Sequence, residues 1–352
     1  MFNKIFKVGR KSIGGNHPCF IIGEIGSNHN RDKKTVKLLI DACADAKFDA
    51  VKFQIYDPEE AFSKNVTTKD VHLQHLYGLK PWWKIARDKI LMPREWFKEM
   101  YVYAKKKKLI VFSTVHRIQD YYFLKNIGVP LIKIASIDLQ YNFLLEKISR
   151  LNKPVIISTG MATFAEIKKT LEIFKKNNLK KFGLLHCVSQ YPPPDNEINI
   201  NNMKMFNKKF NCVVGYSDHS NDNLSSIVAV ANGAKIIEKH ITLDKKYPGP
   251  DHHFAIEPDE MKDLALSIRR VEKILGSYSR ILSKNDKDAK KMIRRSIVLK
   301  SDIKKGMKLS LDLVKFARPG TGISTNLFNK VKNKRVKYNL KAETVLKKAH
   351  FE

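Results

Sequence analysis

Short apolar runs alternate regularly with helical patterns from residue 20 to about residue 275 of this 352-residue chain. Eight runs of four or five residues are typical of buried strands. These runs cover residues 20–24, 50–54, 110–113, 131–134, 155–158, 183–186, 213–216 and 236–240. Segments with helical periodicity separate most of them and cover residues 33–46, 93–107, 118–126, 142–150, 163–176, 223–232 and 258–275.

Eight β/α units over roughly 255 residues have the length and rhythm of a (β/α)8 (TIM) barrel. The sequence therefore predicts an α/β fold of this kind. A doubly wound parallel sheet is the alternative, although it rarely contains eight such regular repeats. The link at 191–211 is less clearly helical than the others.

Two stretches interrupt the rhythm and suggest how the chain is organised. Residues 57–92 carry Trp82 and Trp83 and are expected to form a long loop, which in a compact domain is usually functional or mobile. Residues 276–293 are polar and predict a linker, after which residues 294–352 turn to short apolar segments. We therefore expect a barrel domain over 1–275, a linker over 276–293 and a small β-rich domain over 294–352.

The formal net charge of +31 comes from 66 basic and 35 acidic residues, and 53 of the basic residues are lysines. Nucleic-acid readers rely on arginine for bidentate contacts, so this composition predicts an anionic small substrate and no nucleic-acid partner. A non-catalytic polyanion-binding protein stays open as an alternative. Steeply salt-dependent DNA binding without turnover would favour it.

Cysteine usage and hydropathy bear on the compartment. The four cysteines form no CxxC motif and each adjoins an apolar stretch, which indicates buried thiols in a reducing cytoplasm. No apolar run reaches the 18–20 residues of a membrane span, and the first residues lack the apolar segment of a signal peptide. We expect a cytoplasmic protein with no membrane contact.

Polar side chains end every predicted strand. In a barrel these ends meet at one mouth, where the active site forms. The strand-end residues are Glu24, Lys52, Gln54, Ser113, Thr114, Lys133, Ser136, Ser158, Thr159, His186, Ser189, Ser217, Asp218, His219, Glu238 and His240. Such a ring has no purely structural purpose, so we interpret it as a catalytic site.

Lys52 and Lys133 lie inside apolar runs, where a lysine cannot easily reach bulk water. We interpret each as a desolvated cation suited to an anion, or as an amine suited to Schiff-base formation. A lysine at the solvent end of a strand is the alternative. Hydroxyls at the strand ends, with Ser136, Ser158 and Ser217 among them, favour a phosphate and carboxylate pocket.

His219 and His240 end consecutive strands, and adjacent strand ends lie about 5 Å apart. Two imidazoles there can hold one divalent ion and leave several positions open for substrate. A hydrogen-bonded histidine pair without metal is the alternative.

Eight motifs in order carry a resemblance to a known family. They read FIIGEIGSNHN, DAVKFQ, IKIAS, VIISTGMAT, LLHCVSQYPPP, VGYSDHS, IIEKHITLD and PGPDHHFAIEPDE. Together they resemble the sialic acid synthases, which make N-acetylneuraminate and the related legionaminic and pseudaminic acids. The segment RRSIVLKSDIKKGMKLSLDLVKFARPGTGIS resembles that family's C-terminal antifreeze-like (SAF) domain.

The resemblance implies a transferase that condenses phosphoenolpyruvate with a 2-acetamido sugar, such as N-acetylmannosamine or a 2,4-diacetamido-6-deoxyhexose. With water, this gives a nine-carbon 2-keto acid and phosphate by C–O cleavage. The resemblance also implies a Mn²⁺ or Mg²⁺ cofactor and a domain-swapped homodimer.

Residue roles follow from the motif match. Catalytic roles would fall to Glu24, Lys52 and Lys133. The lysines would bind phosphoenolpyruvate together with Thr114, Ser136, Ser158, Ser189 and Ser217. The metal would be held by His219 and His240. The sugar would contact Gln54, Tyr191, Asp251 and, from the neighbouring subunit's small domain, Arg318.

Two departures put the sugar specificity in question. The family commonly has a glutamate in SGE after strand four, where this chain has SID and Asp138 stands in. The family's STPF after strand three is STVH here, which keeps Thr114 and adds His116. The rival enzyme reading is a Schiff-base keto-acid aldolase with Lys133 as the nucleophile.

Overall fold

The computed structural model describes residues 2–277 and 279–352 and divides the chain into two compact units, one ending at Gly276 and one beginning at Ser277. The strands of the first unit are β1 Ile5–Val8, β2 Lys11–Gly14, β3 Phe20–Glu24, β4 Ala50–Phe53, β5 Ile110–Ser113, β6 Ile132–Ile134, β7 Val155–Ser158, β8 Phe182–Cys187, β9 Val213–Asp218 and β10 Ile236–His240. The eight predicted strands are thus confirmed, each to within two residues at either end.

Strands β3 to β10 form one parallel eight-stranded sheet in the order β5-β4-β3-β10-β9-β8-β7-β6. A parallel bridge between Thr114 and Lys133 links the two outer strands of that order. The sheet therefore curls into a (β/α)8 barrel, and the doubly wound alternative is wrong. All residues of these strands are buried, as a sheet covered on one side by helices and filled on the other requires.

Helices follow the strands as the periodicity predicts. Those of the first unit are α1 Lys33–Asp45, α2 Pro58–Ala61, α3 Gln74–Tyr77, α4 Trp82–Ile85, α5 Phe97–Lys106, α6 Ile118–Ile127, α7 Asn142–Ser149, α8 Phe164–Lys176, α9 Asp195–Ile198, α10 Asn201–Phe210, α11 Leu224–Ala231 and α12 Pro258–Leu275. The 191–211 link is helical after all. In α10, Met203, Phe206 and Phe210 face the core at helical spacing, but asparagines and lysines fill most of the other positions.

A hairpin closes one end of the barrel. β1 pairs with β2 in antiparallel register, and the Phe2 ring lies 5.0 Å from that of Phe182, the first residue of β8. Because this hairpin packs at the amino ends of the strands, the open mouth lies at their carboxyl ends.

The 57–92 segment differs from the predicted loop. It contains the single-turn helices α2, α3 and α4 and a π-helical turn over Ala86–Ile90. Its apolar side chains form a small cluster of their own around Trp82, Ile85 and Ile90. The tryptophan is therefore a core residue of this insertion.

The second unit has a small separate core. Its strands β11 Ser296–Leu299 and β12 Val314–Ala317 pair antiparallel, and its helices are α13 Lys284–Ile293 and α14 Phe328–Val331. Buried Ile297, Leu309 and Leu346 belong to this core. Helix α13 lies inside the stretch predicted to be a linker; Ser283 caps it, and none of its residues is buried.

The structure also bears on the expectations for the cysteines and for membrane-spanning segments. All four cysteines are buried and free, as predicted. Within the described part of the chain, no helix combines the length and apolar character needed to cross a membrane.

Candidate active site

Four ionisable side chains meet inside the mouth of the barrel. Glu24 ends β3, Lys52 lies on β4, Lys133 on β6 and Glu238 on β10. Each is at most 5% exposed. Two ammonium groups and two carboxylates thus balance one another in a space that water barely reaches, where electrostatic interactions are strong.

Glu238 is the centre of this group. Its carboxylate accepts from Lys133 Nζ at 2.7 and 2.8 Å, from Lys52 Nζ at 3.0 Å and from Ser217 Oγ at 3.1 Å. The sequence places Glu238 at a strand end but gives it no role. Its spacing of two residues from His240 was the available signal, because residues i and i+2 of a strand face the same side.

Glu24 has fewer partners. Its Oε2 lies 3.1 Å from Lys52 Nζ, and its Oε1 accepts from Gln54 Nε2 at 2.9 Å. Burial raises the pKa of Glu24 to about 7, although Lys52 opposes the shift. Glu238 is equally buried, but Lys133 and Lys52 outweigh that burial and hold its pKa below the usual range. Glu24 is therefore the carboxylate that can exchange a proton near neutral pH.

The pKa values of the two lysines also differ because their charged neighbours differ. Burial lowers the pKa of Lys133 to about 8, because the Glu238 carboxylate offsets only part of the loss of water and the charge of Lys52 lowers the pKa further. Burial also acts on Lys52, but Glu238 and Glu24 together outweigh it and raise the pKa of that lysine. Near neutral pH both are cations.

Hydroxyl groups line the side of the mouth formed by β6, β7 and β8. Ser136 Oγ accepts from the Gly160 N–H at 2.9 Å. A Cβ on Gly160 would lie 2.1 Å from Ser189 Oγ and 3.0 Å from Ser136 Oγ, so only glycine fits between these serines. Ser189 also borders a cavity of about 410 Å³.

Two further hydroxyls that are predicted to bind the anion lie in the same mouth. Thr114 Oγ1 and Ser158 Oγ are buried and make no hydrogen bond with any described residue. A buried hydroxyl without a partner is costly, which supports a role in binding a ligand. The predicted anion-binding residues therefore converge on one end of the barrel.

A buried ion pair fixes the strand ends that carry the two histidines. Lys239 Nζ lies 2.9 Å from Asp218 Oδ2 and donates to the Ser220 carbonyl at 2.6 Å. Asp218 Oδ1 also accepts from the Ser220 N–H at 2.8 Å. Because neighbours on a strand alternate sides, this pair turns His219 and His240 the other way, into the mouth.

The rings of His219 and His240 have centroids 5.4 Å apart. His219 Nδ1 donates to the Val188 carbonyl at 2.8 Å, which leaves the Nε2 lone pair available as a ligand. Burial lowers the pKa of His219 to about 4 and also lowers that of His240, so both rings are neutral near pH 7. His240 Nδ1 is buried, forms no hydrogen bond with the described residues and lies 3.8 Å from Asp251 Oδ2.

This donor set fits a divalent ion held by two imidazoles. Among residues 2–277 and 279–352, no group of three or more histidine, cysteine, aspartate or glutamate side chains is arranged to hold a metal. An ion on His219 and His240 would therefore keep most of its coordination positions for substrate and water.

The residues predicted to contact the sugar surround this pair. The Tyr191 ring stacks on that of His219 at 4.2 Å. Asp251 Oδ2 accepts from Ser27 Oγ at 2.9 Å, and burial raises the pKa of Asp251. A Cβ on Gly26 would lie within 3.6 Å of side-chain atoms of Glu24, Asp251 and Gln54, which shows how closely these three converge.

Asp138 and Arg318 are not part of the group around His219 and His240. Asp138 follows β6 and its Oδ2 lies 2.6 Å from Nδ1 of His116, a pair the sequence did not foresee. Arg318 belongs to the second unit, where its Nε donates to the Ile293 carbonyl at 2.6 Å. Its contact with a sugar stays a prediction.

Comparison with known proteins decides the family. Residues 39–280 match the NeuB family and residues 294–352 match the SAF domain. The chain belongs to the NeuB family. The predicted relationship to sialic acid synthases is thereby confirmed, as is the SAF domain at the carboxyl end.

Proteins with named activities resemble the chain over most of its length. It is 35% identical to the N,N'-diacetyllegionaminic acid synthase of Campylobacter jejuni, over 93% of this chain and 98% of that protein. It is 33% identical to the N-acetylneuraminate-9-phosphate synthase of Mus musculus, over 90% and 88% of the two chains. The crystal structure of a sialic acid synthetase from Leptospira borgpetersenii in complex with citrate matches with a TM-score of 0.72 at 36% identity, covering 81% of this chain and 94% of that one.

Proposed function

We propose that this NeuB-family protein condenses phosphoenolpyruvate with a 2-acetamido sugar aldehyde to give a nine-carbon 2-keto acid and phosphate. The observation that carries the proposal is the meeting of Lys52, Lys133 and two carboxylates beside a pair of neutral imidazoles. The names of the legionaminic acid and N-acetylneuraminate-9-phosphate synthases among the relatives support it.

Charge balance supports phosphoenolpyruvate as one substrate. With Glu24 protonated, the two lysines and two glutamates carry a net charge of +1, which suits an anion that bears a carboxylate and a phosphate. The hydroxyls of Thr114, Ser136, Ser158, Ser189 and Ser217 would supply further donors. Lys52 and Lys133 would hold the anion throughout the reaction.

The proposed reaction joins C3 of phosphoenolpyruvate to the aldehyde carbon of the sugar. As the enol π-bond attacks, the aldehyde oxygen takes up the proton of Glu24 and becomes a hydroxyl, C2 acquires oxocarbenium character, and the adjacent anionic groups stay bound to the lysines. Water then adds at C2, where Glu24 accepts its proton. The tetrahedral intermediate expels phosphate as the C2–O bond breaks, so the bridging oxygen leaves with phosphate.

His219 and His240 would hold a Mn²⁺ or Mg²⁺ ion, which would polarise the carbonyl oxygen of the aldehyde. Gln54, Tyr191 and Asp251 would orient the sugar against that face. The resemblance further predicts that Arg318 of a partner subunit closes the site in a homodimer, which excludes water from the reacting atoms.

Phosphate release tests the proposal. The protein is incubated with phosphoenolpyruvate, Mn²⁺ and each member of a panel of 2-acetamido hexoses, and phosphate and keto acid are both measured. We expect both products in equal amounts with at least one sugar, and none without a sugar. Failure of the whole panel to release phosphate would overturn the proposal.

A Schiff-base aldolase is a second candidate because Lys133 is a buried amine whose pKa lies near 8. Borohydride reduction in the presence of pyruvate separates the two activities. An aldolase would be trapped as a covalent adduct on Lys133, whereas a synthase forms no imine and would keep its activity.

A further inference from the structure

The two strands that carry the histidines stop pairing with each other just before those histidines. The parallel ladder between β9 and β10 ends where Lys239 lies opposite Asp218. His219 and His240 each follow one residue later, while β10 continues to pair with β3 on its other edge. The spacing of the two imidazoles therefore depends on what joins the strand ends beyond the last ladder pair.

Lys239 ties its own strand to the loop that follows His219. Its ammonium group lies 2.9 Å from Asp218 Oδ2 and donates to the carbonyl oxygens of Ser220 at 2.6 Å and Asp222 at 2.7 Å. An ammonium group has three hydrogens, so all of its donors are engaged. The side chain that precedes one histidine thus holds the residues on both sides of the other.

Asp218 extends the same network from β9 to the next helix. Its Oδ1 accepts from the Ser220 N–H at 2.8 Å, and its Oδ2 accepts from Ser226 Oγ of α11 at 2.5 Å. The hydroxyl of Ser225, also on α11, lies 3.1 Å from both carboxylate oxygens. Asp218 and Lys239 are fully buried. The network therefore joins β9, β10, the loop between β9 and α11, and the first turn of α11.

The His240 ring has less direct support than the His219 ring. His219 Nδ1 donates to the Val188 carbonyl at 2.8 Å, whereas His240 Nδ1 is buried and forms no hydrogen bond with any described residue. The Phe254 ring packs against His240 with centroids 5.0 Å apart. Packing and the placement of β10 therefore position the His240 ring, and the Lys239 contacts fix that placement relative to β9.

A buried ion pair is a poor way to gain stability alone. Replacing such a pair by apolar residues of similar volume is often neutral or stabilising, because removing two charges from water offsets their attraction. This pair lies on the helix side of the sheet, against the serines of α11, where apolar packing is usual. Its position immediately before both histidines indicates that it serves their geometry.

We propose that Asp218 and Lys239 are positioning residues that set the spacing of His219 and His240 and thereby the affinity of this site for a divalent ion. Both side chains face away from the mouth and together they carry no net charge, so they act through the backbone. The inference rests on the proposed function, in which the two histidines hold Mn²⁺ or Mg²⁺, and adds to it the residues that keep those ligands in place.

Calorimetric titration of the full chain with MnCl₂, without substrates, tests the inference. Asp218→Asn removes a negative charge near the site, and Lys239→Met removes a positive one. If the pair acted only through its charge, Mn²⁺ binding would weaken in the first variant and strengthen in the second. Positioning predicts that both variants bind Mn²⁺ more weakly, by about 10–100-fold, as is typical when residues that orient metal ligands are lost.

Two further variants separate positioning from stability. Asp49 is a buried carboxylate at the amino ends of the strands, where it pairs with Lys11 at 2.7 Å and Arg269 at 3.3 Å. Asp49→Asn is the matched control, which should lower thermal stability and leave Mn²⁺ affinity unchanged. Ser226→Ala removes one hydrogen bond to Asp218 and should weaken Mn²⁺ binding to a smaller extent. Thermal unfolding without metal identifies any variant that fails to fold.

The outcomes are distinct. Wild-type Mn²⁺ affinity in folded Asp218→Asn and Lys239→Met proteins would overturn this inference alone, and so would opposite changes in the two. If neither variant folds, wild-type affinity in Ser226→Ala would overturn it. A wild-type protein that binds Mn²⁺ no better than the His219→Ala, His240→Ala double variant would overturn the metal site of the proposed function and this inference with it.

Discussion

Both carboxylate oxygens of Glu238 lie within 2.8 Å of Lys133 Nζ. Both residues are buried: Glu238 is 5% exposed and Lys133 is 1% exposed. The same carboxylate accepts from Lys52 at 3.0 Å. One glutamate is therefore the shared counter-ion of the two lysines expected to bind phosphoenolpyruvate. Removing it would leave two buried cations side by side.

The first prediction concerns the stability and activity of Glu238→Ala. Breaking a buried ion pair by removing one partner costs about 3–5 kcal/mol, so the free energy of unfolding in urea should fall by that amount. Because the lysines then repel each other and shift, kcat should also fall sharply. Exposed Asp259 pairs with Lys262 at the surface, and Asp259→Ala should change little. A Glu238→Ala protein of wild-type stability would contradict the role of shared counter-ion.

The second prediction is the pH dependence of phosphoenolpyruvate use. Lys133 is charged below its pKa of about 8 and neutral above it, so kcat/KM for phosphoenolpyruvate should decrease as the pH rises through that value. Arginine stays protonated, so any activity kept by Lys133→Arg should lose this alkaline limb. The measurement is a pH–rate profile at saturating metal. An unchanged limb in the variant would assign it to another group.

How much of the fold could be predicted from the sequence depends on the kind of interaction that holds each element. The strands followed from continuous apolar runs, because both faces of a barrel strand are buried, and most helices followed from periodicity, because only one face of each is buried. Helix α10 was missed since its core residues Met203 and Phe206 stand among asparagines and lysines. The turns of the 57–92 insertion were also missed, because they are held by a small cluster around Trp82 rather than by a regular pattern.

The candidate site shows the same division. Strand ends predicted that Lys52, Lys133, His219 and His240 would share one mouth, since parallel strands bring their ends together. The partnership of Glu238 with both lysines, and that of His116 with Asp138, depend on distances between side chains far apart in the chain. Spacing along the chain contains no such distances, so these pairs required the structure.

The third prediction concerns metal binding. His219→Ala and His240→Ala should each weaken Mn²⁺ binding measured by calorimetry without substrate, because each removes one of two neutral imidazoles. EDTA should abolish phosphate release and added Mn²⁺ or Mg²⁺ should restore it. His17 is exposed, and His17→Ala is the matched control. Wild-type Mn²⁺ affinity in the double variant would rule out this pair as the ligands.

The fourth prediction tests whether the small domain acts across subunits. Arg318→Ala and Glu24→Ala should each be nearly inactive, because one lacks the residue predicted to close the site and the other lacks the carboxylate inside it. If the closing residue comes from a partner in a homodimer, equal mixing of the two variants should restore activity. Half of the dimers would then be mixed. One of the two sites in each would be intact, so about a quarter of all sites would recover.

Subunit exchange must be shown independently for this result to be decisive, for example by mass spectrometry of dimers formed from isotopically labelled and unlabelled chains. A mixture of Arg318→Ala with itself, labelled and unlabelled, controls for any effect of exchange alone and should stay inactive. If exchange is complete and the Arg318→Ala and Glu24→Ala mixture still shows no recovery, the arginine would act within its own chain or outside the site. Recovery near a quarter would assign each active site to the barrel of one subunit and the SAF domain of the other.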